Sequence, residues 1–301
     1  MATMEIATLD SGNFAEMAKA MGMGADMSKG EKAKSSTLPR LRIWNQAVMG
    51  QVEVKGKMKN MEVVPAGMFR LQLPDDKFIY AESASLRVFV QRFMYKRYDS
   101  ENNQYVKTLM ADDLKGDLKD NTGGLNCGKP AGYIQDFQAL PDDTKALIKQ
   151  IKRVRVLMGE VKLNNAVDSE GNEVDTDVQP FIWEIDNKDA FKTLGVPFTT
   201  LGKQRRLPVQ HWITCGTEER QLPTGASFYL PTADIDMSTS IDLEESDQQK
   251  FSDFIEWINN YNEYIVNAWN EKRVENVSKE DEELVEDFID LNDNDDNGGE
   301  G

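Results

Sequence analysis

The chain of 301 residues predicts an α+β fold, mainly antiparallel β, with one long C-terminal amphipathic helix and disordered termini. Three observations predict it. Over residues 38–230, short alternating apolar runs are separated by clusters of Gly, Pro, Asn and Asp, the pattern of an antiparallel sandwich or barrel. Over residues 244–273, Phe251, Phe254, Ile255, Ile258, Tyr261, Ile265, Ala268 and Trp269 recur at helical spacing. The charge is segregated: residues 38–233 hold 27 Lys/Arg against 25 Asp/Glu, whereas residues 234–301 hold 4 against 22. A near-neutral body followed by a tethered polyanion lets one part bind what the other imitates.

Three regions follow: a flexible arm over 1–37, a β-rich body with a packing helix over 38–273, and a disordered acidic tail over 274–301. The arm is rich in Met, Ala, Gly, Ser and Lys, and ends in Lys32-Ala33-Lys34-Ser35-Ser36-Thr37. The body opens with strands at 48–59, 60–64 and 68–73, punctuated by Gly50, Gly56, Pro65, Gly67 and Pro74. Residues 86–98 form the longest strand, followed by a polar turn and a strand at 105–110. Residues 112–133 are loop-rich. Pro141-Asp142-Asp143-Thr144 opens a short helix that runs to 150 and into a strand at 151–163. A strand at 181–185, a helical turn at 187–194 stopped by Gly195, and strands at 211–215 and 227–230 complete the body. The helix at 244–273 packs on this body or on another subunit.

Composition narrows the function. No apolar run reaches the ~18 residues of a membrane span, and no basic-then-apolar leader opens the chain. Two cysteines, Cys127 and Cys215, make no disulfide framework, so a reducing cytoplasm is expected (a host's, if the chain is viral). No P-loop or nucleophile elbow is present. The single histidine, His211, with Cys215 and Cys127 falls short of the four ligands of a structural zinc. No catalytic residue, metal or cofactor is expected.

A binding protein remains. With clean alternation, Arg87, Phe89, Gln91, Phe93, Tyr95 and Arg97 share one face of the 86–98 strand. Cations between rings suit a single-stranded nucleic acid, whose bases stack while Arg and Lys neutralise phosphates. Lys149, Lys152, Arg153 and Arg155 form a second basic group, and Lys203, Arg205 and Arg206 a third. The tail mixes Glu282, Glu283, Glu286, Asp287 and Asp290 with Leu284, Val285, Phe288 and Ile289, the mix of segments that fold onto partners.

This layout resembles the single-stranded DNA-binding proteins of tailed bacteriophages. The resemblance implies an OB-like barrel with insertions, a groove formed by 86–98 with 149–155, and a tail over 280–301. Such a tail competes with DNA for the groove and recruits replication partners (polymerase, helicase or nuclease) through Glu282, Glu283, Glu286, Asp287, Phe288 and Asp290. The segment 32–37 is similar to the basic-hydroxyl motif some of these proteins use for cooperative binding. The chain departs from the family in lacking a terminal aromatic residue and a cysteine-rich zinc site. The expected function is sequence-nonspecific single-stranded DNA binding in replication or recombination, with possible self-association. The alternatives are a phage structural or assembly protein that oligomerises through the C-terminal helix, and a DNA-targeted regulator of a recombinase.

Overall fold

The computed structural model describes residues 38–130 and 134–293, with side chains as far as Arg273. The arm at 1–37, with its Lys32–Thr37 segment, and the last residues, 294–301, lie outside the described residues. Ten strands are present: β1 (Arg40–Ile43), β2 (Val48–Val54), β3 (Lys57–Val64), β4 (Phe69–Gln72), β5 (Phe78–Asp99), β6 (Gln104–Lys107), β7 (Lys152–Val167), β8 (Gln179–Ile185), β9 (Ile213–Gln221) and β10 (Ser227–Ile235). Four α-helices accompany them: α1 (Asp142–Gln150), α2 (Lys188–Thr193), α3 (Val196–Lys203) and α4 (Glu245–Asp293). The α+β class and the predominance of antiparallel pairing agree with the sequence pattern.

β5 is the spine. Its 22 residues carry β7 along one edge, while β4, β9 and β6 share the other edge in turn. The pairings β5–β4, β4–β1, β1–β8, β8–β7 and β7–β5 close a circuit. All are antiparallel except a short parallel contact at Arg40↔Ile182, which an odd number of strands in sequential order requires. Alternate residues point into the circuit. Leu41, Phe69, Leu71, Leu86, Val88, Leu157, Val161, Phe181 and Trp183 fill it, and Phe69 meets Trp183 edge-on at 5.8 Å. The core takes one face of each strand and leaves the opposite face outside.

β2 and β3 form a separate two-stranded ribbon. Lys55 and Gly56 at its tip both have positive φ, 53° and 73°, as a two-residue type I′ turn demands. The ribbon springs from Trp44 and returns at Gly67: Trp44 N–H donates to Met68 O at 2.8 Å, and Gly67 N–H to Trp44 O at 2.7 Å. Gly67 has φ of 88°, and a Cβ there would fall 2.4 Å from the Tyr229 ring, so conformation and space both call for glycine.

Helix α4 lies on the outer face of β5. Phe254, Ile258 and Ile265 are buried. Phe254 packs on Phe89 at 5.8 Å, Tyr261 donates to Thr108 O at 3.0 Å, and Trp269 Nε1–H donates to Gly124 O at 3.0 Å. Asn262 accepts from Met110 N–H and donates to Met110 O, standing in for a missing strand partner. Most of the apolar stripe packs on the chain's own body, while Phe251 stays about half exposed. The helix backbone continues past Arg273, where the apolar period fades, to Asp293. It thus spans 274–293 of the segment expected as a disordered tail. That stretch holds no Pro or Gly and is rich in Glu, a good helix former. Among the described residues no helix is long and apolar enough to cross a membrane.

Candidate nucleic-acid interface

The face expected along β5 is divided in two. The β5–β7 register shifts between Val88 and Val90: Val88 opposes Gly159 and Val90 opposes Met158, leaving Phe89 as an extra residue. One inserted residue reverses the parity of everything beyond it. Arg87 and Phe89 therefore lie under α4, whereas Phe93 and Tyr95 turn toward the core side.

Arg87 is 7 % exposed and fully engaged. It grips Asp247 in α4 with two parallel hydrogen bonds of 2.9 and 2.7 Å and donates through Nε to Val209 O at 2.8 Å. Glu160 lies 3.4 Å away, and Lys250 bridges Glu160 at 2.6 Å. The hydrogen bonds from Arg87 are the main reason the Asp247 carboxyl stays below the usual range, against the opposing effect of burial. Arg87 thus anchors the start of α4 in a buried, carboxylate-paired network rather than on an open phosphate-binding face.

On the other side of the bulge, Phe93 directly opposes Arg155 across β5–β7. The Arg155 guanidinium sits among the rings of Phe93, Phe191 and Phe198, 4.6 to 5.7 Å from their centres. It donates to Phe191 O and to Gln91 Oε1. It is 8 % exposed, and burial pulls its pKa down to about 10. Tyr95 is buried with Val106, Leu118 and Cys127, and its hydroxyl donates to Leu114 O at 3.2 Å. Arg97 is partly buried and stands 4.0 Å from Asp99. Phe93, Tyr95 and Arg155 are therefore packing elements, not an open groove.

The remaining expected residues are distributed. Arg153 is exposed, 5.8 Å from the Phe191 ring, and Lys149 is exposed in the last turn of α1. Lys152 pairs with Asp186 at 3.1 Å. Lys203 and Arg205 are exposed near α3, which packs against β10, while Arg206 donates to Met237 O at 2.6 Å. Glu282, Glu283, Glu286, Asp287, Phe288 and Asp290 fall on the α4 backbone, with side chains outside the described residues. Cys127 and Cys215 are buried in separate clusters, and burial pushes both thiols up to about 12. Among the described residues no group of three or more His, Cys, Asp or Glu side chains is placed to hold a metal ion.

A different basic-aromatic face emerges on the outside of β1 and β4. Leu41 points into the core, so Arg40 and Arg42 point out. Across the antiparallel β1–β4 pair, Arg42 directly opposes Arg70 and Arg40 opposes Gln72. The Arg70 guanidinium stacks 3.5 Å above the Trp44 ring and 4.7 Å from the Phe78 ring. Arg70 is 8 % exposed, and its Nε makes no hydrogen bond. Among the described residues none of the three guanidiniums forms an ion pair with a carboxylate. The Arg42 pKa is lowered first by burial and then by the charges of Arg70 and Arg40; Glu184 on β8 opposes that shift.

Like charges directly opposed across strands destabilise a sheet. Here both members are also partly desolvated, and Arg70 is stacked on aromatic rings. Such a site gains from an external anion: planar guanidinium edges suit phosphate oxygens, and the rings beside them suit bases. The strict alternation Arg40-x-Arg42-x-Trp44 was the signal in the sequence that could have found it.

Neither a family model, nor a curated protein, nor a solved structure matches the chain.

Proposed function

We propose that the chain is a sequence-nonspecific single-stranded DNA-binding protein of phage DNA replication or recombination. The strand runs over the outer face of β1 and β4, with phosphates on Arg40 and Arg42, the buried Arg70 adding its charge from behind, and bases against the part-exposed rings of Trp44 and Phe78. The observation that carries this reading is the Arg42–Arg70 pair, two opposed guanidiniums without an ion-pair partner among the described residues, of which Arg70 is stacked on the Trp44 and Phe78 rings. Arg87, Phe93, Tyr95 and Arg155 hold β5, β7 and α4 together as packing elements away from this face.

The closed circuit of five strands supports an OB-like body. Its sequential strand order differs from the Greek key of that fold, so the likeness lies in the closed pairing and the exterior binding face. The acidic segment 280–301 competes with DNA for this cationic face at low occupancy. Once displaced, it recruits a replication protein through Glu282, Glu283, Glu286, Asp287, Phe288 and Asp290.

Fluorescence anisotropy with a labelled oligo-dT of ~30 nucleotides tests the reading. Binding at low salt that weakens steadily as salt rises supports it. Absence of binding at low salt would leave the arginine pair without a nucleic-acid role.

A further inference from the structure

A second site lies on the same outer surface, at the far end of β5. A cavity of about 350 Å³ is lined by Lys96, Tyr98, Tyr105, Gln150, Lys152 and Asp186, among others. Tyr98 and Tyr105 are directly opposed across β5–β6, with ring centres 5.1 Å apart and planes at 62°. They remain 46 % and 52 % exposed. The Lys96 ammonium stands 4.8 Å from the Tyr105 ring centre. Two large rings left in water at the mouth of a polar cavity form a stacking platform with no internal occupant.

The lysines around it are already paired. Lys152 meets Asp186 at 3.1 Å, Lys96 meets Glu184 at 3.4 Å and Asp186 at 3.9 Å, and Lys107 meets Glu184 at 3.4 Å. With its cations neutralised, the cavity is poorly suited to a bare phosphate. It offers instead two aromatic faces, one carboxylate acceptor and one side-chain amide, all within a volume that fits a small planar ring. Glu184 links it to the arginine face, since its charge is felt at Arg42 and its oxygens hold Lys96 and Lys107.

We infer that this cavity takes one unstacked nucleobase of the strand that crosses β1 and β4. The base stacks on the Tyr105 ring with Tyr98 meeting its edge, and its exocyclic amine donates to the Asp186 carboxylate. This rests on the single-strand reading above. Cytosine, adenine and guanine carry such an amine and thymine does not, so the protein, though it reads no sequence motif, disfavours thymine at this position.

The test compares 30-nucleotide oligo-dC and oligo-dT by anisotropy, for the full chain and for Asp186→Asn, Tyr105→Ala and Tyr105→Phe. The wild type is expected to bind oligo-dC several-fold more tightly. Asp186→Asn brings that ratio toward one. Tyr105→Ala weakens binding roughly 5- to 150-fold, the range of one lost base stack, with an unchanged salt slope. Tyr105→Phe keeps the ring and the wild-type affinity, and a thermal melt of each variant excludes misfolding as the cause. Equal affinity for the two oligonucleotides, unmoved by Tyr105→Ala while Arg42→Ala weakens both, would overturn the subsite and leave the single-strand reading intact. Failure of the wild type to bind either oligonucleotide would overturn that reading and the subsite with it.

Discussion

Arg42 and Arg70 face each other directly across the β1–β4 pair, and neither forms an ion pair with a carboxylate among the described residues. Arg70 is nevertheless nearly buried, held flat between Trp44 and Phe78. Stacking on the rings offsets part of the desolvation, but the mutual repulsion of the two guanidiniums remains. A bound polyanion would relieve that repulsion.

Trp44 stacks on Arg70 and is part exposed beside it. Trp44→Ala is expected to cost ~1–3 kcal/mol of single-strand affinity while leaving the slope of log affinity against log salt nearly unchanged, because a stacking contact is lost and no phosphate contact. Titration at several salt concentrations checks it; a reduced slope would mean that the ring acts only by placing Arg70.

Asp247 fastens α4 to the body. Its carboxyl is held below the usual range chiefly by hydrogen bonds from Arg87. The native state therefore favours the ionised form. This stabilisation is complete above the unfolded value near 4 and is lost as pH falls through the lower native value. Asp247→Ala removes the bidentate partner of the buried Arg87, leaving it only the longer Glu160 contact as an ion pair, and is expected to destabilise by about 2–4 kcal/mol. Urea unfolding at neutral pH measures that loss. A pH titration of tryptophan fluorescence, which senses Trp257 and Trp269 on α4, should show an acid transition in the wild type that moves in Asp247→Asn.

The acidic end provides a third prediction. A chain ending at Lys279 removes 11 acidic and no basic residues. It is expected to bind single-stranded DNA more tightly than the full chain, with the larger gain at low salt, where the tethered polyanion competes best. Equal affinity for the two chains would remove the competition between tail and DNA.

Much of the fold was legible in the sequence, and the site was not. Pro141-Asp142-Asp143 marked the start of α1, Asn187 caps α2 through its side-chain oxygen, and the apolar period marked the first half of α4. The long strand was legible too, although β5 begins at Phe78, earlier than its aromatic run. The bulge was not. Val88, Phe89 and Val90 are all apolar, so the pattern reads equally well in either parity, and only the pairing with Gly159 and Met158 reveals the inserted residue. That one residue sends Arg87 to Asp247 and Phe93 to Arg155. The same spacing that promised a groove thus gave two packing clusters. Arg40-x-Arg42-x-Trp44 carried the needed alternation, but its partner Arg70 lies in a different short strand, and only the β1–β4 register brings them together.

The arginine face is tested most directly by measuring oligo-dT affinity across a salt series for the wild type and for Arg42→Ala, together with the thermal stability of each. Arg42→Ala is expected to weaken binding, to reduce the log–log salt slope by ~0.7 for the lost phosphate contact, and to leave the melting temperature equal or higher as the repulsion with Arg70 is relieved. An unchanged affinity and slope in a folded Arg42→Ala protein would contradict the assignment of this face to nucleic acid.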